Sequence, residues 1–202
     1  MKNTLLTVSR IFVGVLFIFS GLIKANDPLG FGYKLQEYFE VFHIVFLNDF
    51  AAAIAIFICA FEIIAGAALL LGIRSVQVAW GLHILILFFT FLTFYSAAFD
   101  VVKSCGCFGD AIPLTPWQSF MKDLVLLVFI AYIFKNKEKI RPLIQGEAGQ
   151  SITLAVLAAI SFGFGLYTYN FLPVGDFLPY RVGANIPEQM KIPPSAPQDV
   201  YQ

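Results

Sequence analysis

Five long apolar runs divide this chain: Leu5–Ala25, Phe50–Ile73, Val76–Phe99, Phe120–Phe134 and Ile152–Phe171. A helix needs roughly 20 apolar residues to cross the hydrocarbon core of a bilayer. Backbone in lipid must satisfy its own hydrogen bonds, so runs of this length are constrained to helix. The fourth run is the shortest. It reaches spanning length only if Trp117–Ser119 and Met121–Asp123 lie within its outer turns. Composition agrees: 59% of residues are hydrophobic and 13% charged, where a soluble domain carries about a quarter charged. The formal net charge is zero, which leaves no basic surface for nucleic acid. The expected fold is an all-α integral membrane protein, a four-helix bundle plus a fifth transmembrane helix. The expected organisation is the bundle over 1–136, a cytoplasmic loop over 137–150, the fifth helix over 151–172 and an external tail over 173–202.

The first run is a retained helix rather than a cleaved signal, because Arg10 interrupts it and "LIKANDP" lacks a small-x-small cleavage pattern. Basic residues set orientation. Lys2 and Arg10, Arg74, and the segment Lys135–Arg141 fall on one side of five crossings, the cytoplasmic side. This predicts a multi-pass protein of the cytoplasmic (inner) membrane with a cytoplasmic N-terminus and a periplasmic C-terminus. The outer side then receives Asn26–Asp49, Asp100–Pro116 and the tail after Leu172.

Within Asn26–Asp49, Tyr33, Tyr38, Phe39 and Phe42 would line one side of a short external interfacial helix between the first two crossings. Such a helix caps the bundle or forms a lid over a substrate. The tail "IPEQMKIPPSAPQDVYQ" has the proline-rich polar composition of an extended linker. It stops in mid-linker, the pattern expected of a truncated chain or of a missing downstream domain.

Cys105-Gly106-Cys107 carries the chemistry of the outer face. Two cysteines one residue apart close only a small, strained ring, which the intervening glycine eases. A strained, exposed disulfide is readily reduced and suits electron exchange. As a staple the pair would contribute little, because the closed loop is short. An inert local bridge is the bland alternative. Zinc is disfavoured, since it takes four ligands and the outer face adds only His43 and Asp110 to the two thiols; no metal is expected.

Ionisable groups inside the helices form a second set. Arg10, Gly14, Phe17, Gly21 and Lys24 share one face of the first helix, and Ala55, Cys59, Glu62 and Gly66 one face of the second. Counting about 1.5 Å per residue, Arg10 lies about 9 Å deep, His83 about 10 Å and Glu62 about 16 Å. A bare carboxylate at that depth is costly, so Glu62 is expected to be either protonated or paired, with Arg10 or His83 as its partner. The site reads either as a proton or substrate site or as a polar clasp fixing helix register. Cys59 is expected to be a core residue. Lys24, Lys122 and Asp123 would line a polar mouth beneath the cysteine loop, unless the lysines snorkel to headgroups.

"SRIFVGVLFIFSGLIKANDPLGF" followed by "FEIIAGAALLLGIRS" resembles the DoxX-like membrane proteins, with Arg10, Gly21, Lys24, Glu62, Gly66, Gly72 and Arg74 at the hallmark positions. "CGCFGD" before the fourth helix resembles the MauE branch. The tail resembles that of longer Bacteroidetes relatives. The resemblance implies a four-helix bundle laid out like the vitamin K epoxide reductase type, and a role in redox maturation of extracytoplasmic proteins. Quinone-linked disulfide generators usually relay through two cysteine pairs, and this chain has one. A thioredoxin-like periplasmic partner or a downstream domain would therefore complete the circuit.

The expected function is membrane thiol–disulfide exchange, with Cys105 and Cys107 as the reacting pair. A quinone would dock near Phe89, Phe94, Tyr95 and Trp117; no cofactor is required by the sequence. The alternative is a non-enzymatic subunit of a larger membrane complex with an inert disulfide.

Overall fold

The computed structural model describes residues 2–99, 101–102, 114–171 and 173–175. The described residues form six α-helices and two short 3-10 turns, with no strand among them. The helices are α1 (Lys2–Asn26), α2 (Pro28–Val41), α3 (Ala51–Leu71), α4 (Ser75–Phe99), α5 (Pro116–Lys135) and α6 (Glu147–Asn170). Five of them are long and apolar enough to cross a membrane, α3 together with the 3-10 turn Val45–Phe50 that leads into it. The protein is thus a multi-pass membrane protein. The fifth spanning helix, α6, begins at Glu147 rather than near residue 151.

Local chemistry explains the helix ends. Asp27 caps α2 by accepting from the Gly30 amide at 2.9 Å, with Pro28 in the first turn. Thr115 and Gln118 form a reciprocal capping box that starts α5 at Pro116. That cap brings Trp117–Ser119 into the helix and lengthens the shortest apolar run to spanning length. Gly72 ends α3 in the left-handed region (φ 69°), where a side chain would be strained.

The bundle is organised by α1 against α3, its most extensive helix pair, with α4 against α5 next and α6 laid on α3. Small residues set the α1–α3 approach. A Cβ on Gly66 would stand 2.7 Å from the Gly14 carbonyl oxygen, and one on Gly21 would stand 2.9 Å from the Cys59 carbonyl oxygen. These are backbone atoms of the facing helix, so the contact admits only glycine. Lipid supplies no hydrophobic force between helices, and close backbone packing takes its place. α6 is held by Thr168, whose hydroxyl donates to the Ala25 carbonyl at 2.5 Å. Asn26 then exchanges hydrogen bonds with Gly175 at 2.6 and 2.9 Å.

Large apolar side chains such as Ile11, Val15, Phe57, Ile84, Val128 and Ile160 point outward, while Ser9, Lys24, Glu62, Thr93, Ser96, Ser119, Asp123, Ser161 and Thr168 are buried. That inversion is what a bilayer imposes. α2 buries Phe31, Leu35 and Tyr38 against the bundle. Tyr33, expected on the same side as Tyr38, is instead 61% exposed. Its spacing of five residues from Tyr38 puts it on the other face of the helix.

The two ends of the bundle differ. At one end lie the α3–α4 turn, Arg10 and the α5–α6 connection, with the basic residues Arg74, Lys135, Lys137, Lys139 and Arg141. At the other lie the end of α1, all of α2, the start of α3, the end of α4 and the start of α5. In the sequence the CxC segment lies between α4 and α5. Cys105 and Cys107, together with Lys103 and Asp110, lie outside the described residues.

Candidate functional site

The site is a narrow crevice between α1, α3, α4 and α5. It is lined by Leu16, Phe17 and Ser20 of α1, Ile86 and Phe89 of α4, and Leu126 of α5, with four charged groups: Lys24, Glu62, Lys122 and Asp123. Its free volume is about 30 Å³, room for one or two waters.

Lys24 and Glu62 meet at its base in a buried ion pair, the Lys24 ammonium donating to Glu62 Oε1. Both residues are only 2% exposed. Lys24 stands near the last turn of α1, and the close glycine packing of α1 on α3 brings it over Glu62. Two aromatic faces complete its surroundings. The ammonium lies 5.0 Å from the Phe31 ring and 4.8 Å from the Phe89 ring, within the range of cation–π attraction. Glu62 Oε2 has no hydrogen-bond partner among the described residues.

The second charged pair lies where the crevice approaches the surface. Lys122 donates to Asp123 Oδ1 at 2.7 Å, with the lysine side chain 23% exposed and the aspartate side chain 1%. Thr93 of α4 donates to the other oxygen, Oδ2, at 3.0 Å. Asp123 therefore has both oxygens satisfied, whereas Glu62 has one.

This geometry revises two expectations. The partner of Glu62 is Lys24, not Arg10 or His83. Arg10 is occupied at the opposite end, where Nε and Nη2 donate to the Leu69 carbonyl at 3.3 and 3.0 Å and Nη2 also donates to that of Leu70 at 3.1 Å. It adds donors to the last carbonyls of α3, of which that of Leu69 also accepts from the Gly72 amide at 3.2 Å. His83 stacks on Phe134 with ring centroids 5.0 Å apart, and its Nδ1 is buried without a partner among the described residues. The second revision concerns Lys24, which does not snorkel. The helix register turns it inward, onto a carboxylate and two rings.

Other expected residues fall into place differently. Cys59 is buried one turn from Glu62, in the cluster that includes Ala25, Phe31 and Leu35. The aromatics considered for a quinone are not brought together. Phe89 lines the crevice. Tyr95 packs with Phe42, Phe91 and Phe99, while Phe94 and Trp117 both pack on Phe120. Sequence reasoning missed Thr93 and Phe31. Phe31 had a signal: with Leu35 and Tyr38 it makes the helical stripe that α2 buries.

Fold and site together define a polytopic helical membrane protein with two ion pairs enclosed in a four-helix crevice. The chain belongs to the MauE family, described as methylamine utilisation protein MauE, which matches residues 2–135. Among curated proteins it is similar to Protein TlpB of Flavobacterium psychrophilum, 25% identical over 130 residues. That match covers 62% of this chain and 35% of TlpB, so the chain spans about a third of the length of that relative. No solved structure matches the chain.

Proposed function

We propose that this MauE-family protein is a membrane thiol–disulfide exchange protein, acting on extracytoplasmic proteins through Cys105 and Cys107. The observation that carries the reading is where the CxC segment is tethered. On one side Val102 is buried against Tyr38 and Leu92, and its carbonyl accepts from Ser96 at 2.6 Å. On the other side the Thr115 cap starts α5, whose next turns carry Lys122 and Asp123 into the crevice. Both tethers are at the end of the bundle opposite the loop basic residues Arg74, Lys135, Lys137, Lys139 and Arg141. By the positive-inside rule that end faces the periplasm, where disulfides persist.

In the exchange, a partner thiolate attacks one sulfur of the Cys105–Cys107 disulfide. The S–S bond breaks, a mixed disulfide forms, and the displaced cysteine leaves as a thiolate and takes a proton from water. A second partner thiolate then displaces the remaining cysteine. The partner is left oxidised to a disulfide, and two electrons reside on Cys105 and Cys107. The reverse direction reduces a partner disulfide by the same steps. A thioredoxin-like domain, soluble or fused, has the dithiol chemistry this requires. Family membership supports the reading, and the spacing of the pair favours reactivity over stapling.

The test is a redox titration of the purified protein in detergent against glutathione and dithiothreitol buffers, read by thiol alkylation. A potential in the range of exchange proteins is expected, together with a trapped mixed disulfide in Cys105→Ser or Cys107→Ser. A potential well below about −300 mV would mark an inert structural bond. The protein would then be an accessory subunit of a membrane complex.

A further inference from the structure

Glu62 is the one carboxylate of the crevice whose hydrogen bonds are incomplete among the described residues. A purely structural clasp satisfies both oxygens of a buried carboxylate, because an unpaired buried acceptor is costly. Here Oε1 accepts from Lys24 while Oε2 has no partner among the described residues. Glu62 borders a space of about 30 Å³, enough for one or two waters. The same space touches Asp123 and Lys122, and Lys122 is partly exposed.

We propose that the crevice is a proton-transfer site, in which Glu62 Oε2 takes up a proton through a water bridging it to the Asp123–Lys122 pair. A proton enters beside Lys122 and is held by Asp123 as the carboxylic acid. The bridging water gives a proton to Glu62, forming its O–H bond, and regains one from Asp123, which returns to carboxylate. Lys24 keeps its charge throughout. When Glu62 becomes neutral the ammonium loses its counter-ion, but the faces of Phe31 and Phe89 at 5.0 and 4.8 Å still support it.

The groups around Glu62 are few. α1 contributes Lys24, α5 contributes Asp123 and Lys122, and α3 itself contributes Cys59 one turn away. α4 faces the crevice with Ile86 and Phe89, and α2 brings Phe31. α6 packs on α3 with Gly165 against Ile56 and brings no charged side chain to the crevice. Glu62 and Asp123 are thus the two carboxylates available to carry a proton inward.

The experiment is infrared difference spectroscopy on the full chain in lipid nanodiscs, after an acid jump and in H₂O against D₂O. A protonated-carboxyl C=O band is expected that shifts in D₂O and is lost in Glu62→Gln. Its rise should slow by about 100-fold in Asp123→Asn, the low end for a positioned proton donor. Should Glu62→Gln misfold, the Lys24→Gln/Glu62→Gln double variant removes both buried charges and must also lose the band. Absence of the band in folded wild-type protein, its survival in either Glu62 variant, or an unchanged rate in Asp123→Asn would each overturn the proposal. The band reports a carboxyl and not a thiol, so the result does not depend on whether Cys105 and Cys107 exchange.

Discussion

Replacing Lys24 with methionine tests how the buried pair is built. The substitution keeps a long apolar stem between Phe31 and Phe89 and removes only the ammonium. Glu62, 2% exposed, then has no partner on either oxygen among the described residues, because Lys24 supplied its hydrogen bond. Removing one member of a buried ion pair costs about 3–5 kcal/mol, which moves the folding equilibrium by about two to four powers of ten. Glu62→Gln should be milder by about 1–2 kcal/mol. It leaves an ammonium that retains two ring faces, each worth about 0.5–2 kcal/mol when desolvated. Lys24→Met/Glu62→Leu should return to within about 1 kcal/mol of wild type or exceed it, since an apolar pair of similar volume avoids the desolvation of two charges. The assay is unfolding in mixed micelles by SDS titration, followed by helical circular dichroism. A cost for Lys24→Met below about 1 kcal/mol would refute the reasoning. So would a double variant whose loss equals the sum of its singles, because the two groups would then not be interacting.

Three further outcomes follow from the packing and topology. Gly66→Ala should destabilise by about 1–3 kcal/mol, since the new methyl meets the Gly14 carbonyl at 2.7 Å, whereas Gly163→Ala, with nothing within 4 Å, should be neutral or slightly stabilising; thermal unfolding in detergent compares them. Arg10→Ala should cost about 1–3 kcal/mol by removing the guanidinium donors from the Leu70 carbonyl and from that of Leu69, which keeps the Gly72 amide, and it should leave the Lys24–Glu62 pair intact, which the infrared carboxylate bands of the variant would check. On intact spheroplasts, a membrane-impermeant thiol reagent should label Cys105 or Cys107 after mild reduction, and labelling only after permeabilisation would reverse the orientation.

The number and length of the crossings were legible in the sequence because bilayer thickness acts on one chain segment at a time. Any run near 20 apolar residues has to be helical in lipid, whatever its neighbours do. Thr115, Pro116 and Gln118 likewise announce the start of α5 locally, as Asp27 and Pro28 announce α2. The glycine and polar faces of α1 and α3 were also legible, since residues spaced 3 and 4 apart share a face. The chain alone did not reveal which polar groups would meet. Depth counting set Glu62 near Arg10 and His83, because it measures one coordinate along the membrane normal. The pairing with Lys24 depends on how α1 is rotated and slid against α3, and the backbone contacts at Gly14, Gly21, Cys59 and Gly66 set that rotation. Arg10 was drawn away by the Leu69 and Leu70 carbonyls at the end of α3, and Tyr33 was turned outward by the phase of α2. A face is a property of one helix and can be read from its sequence. A partner depends on the relative position of two helices, which here follows from backbone packing that no single segment encodes.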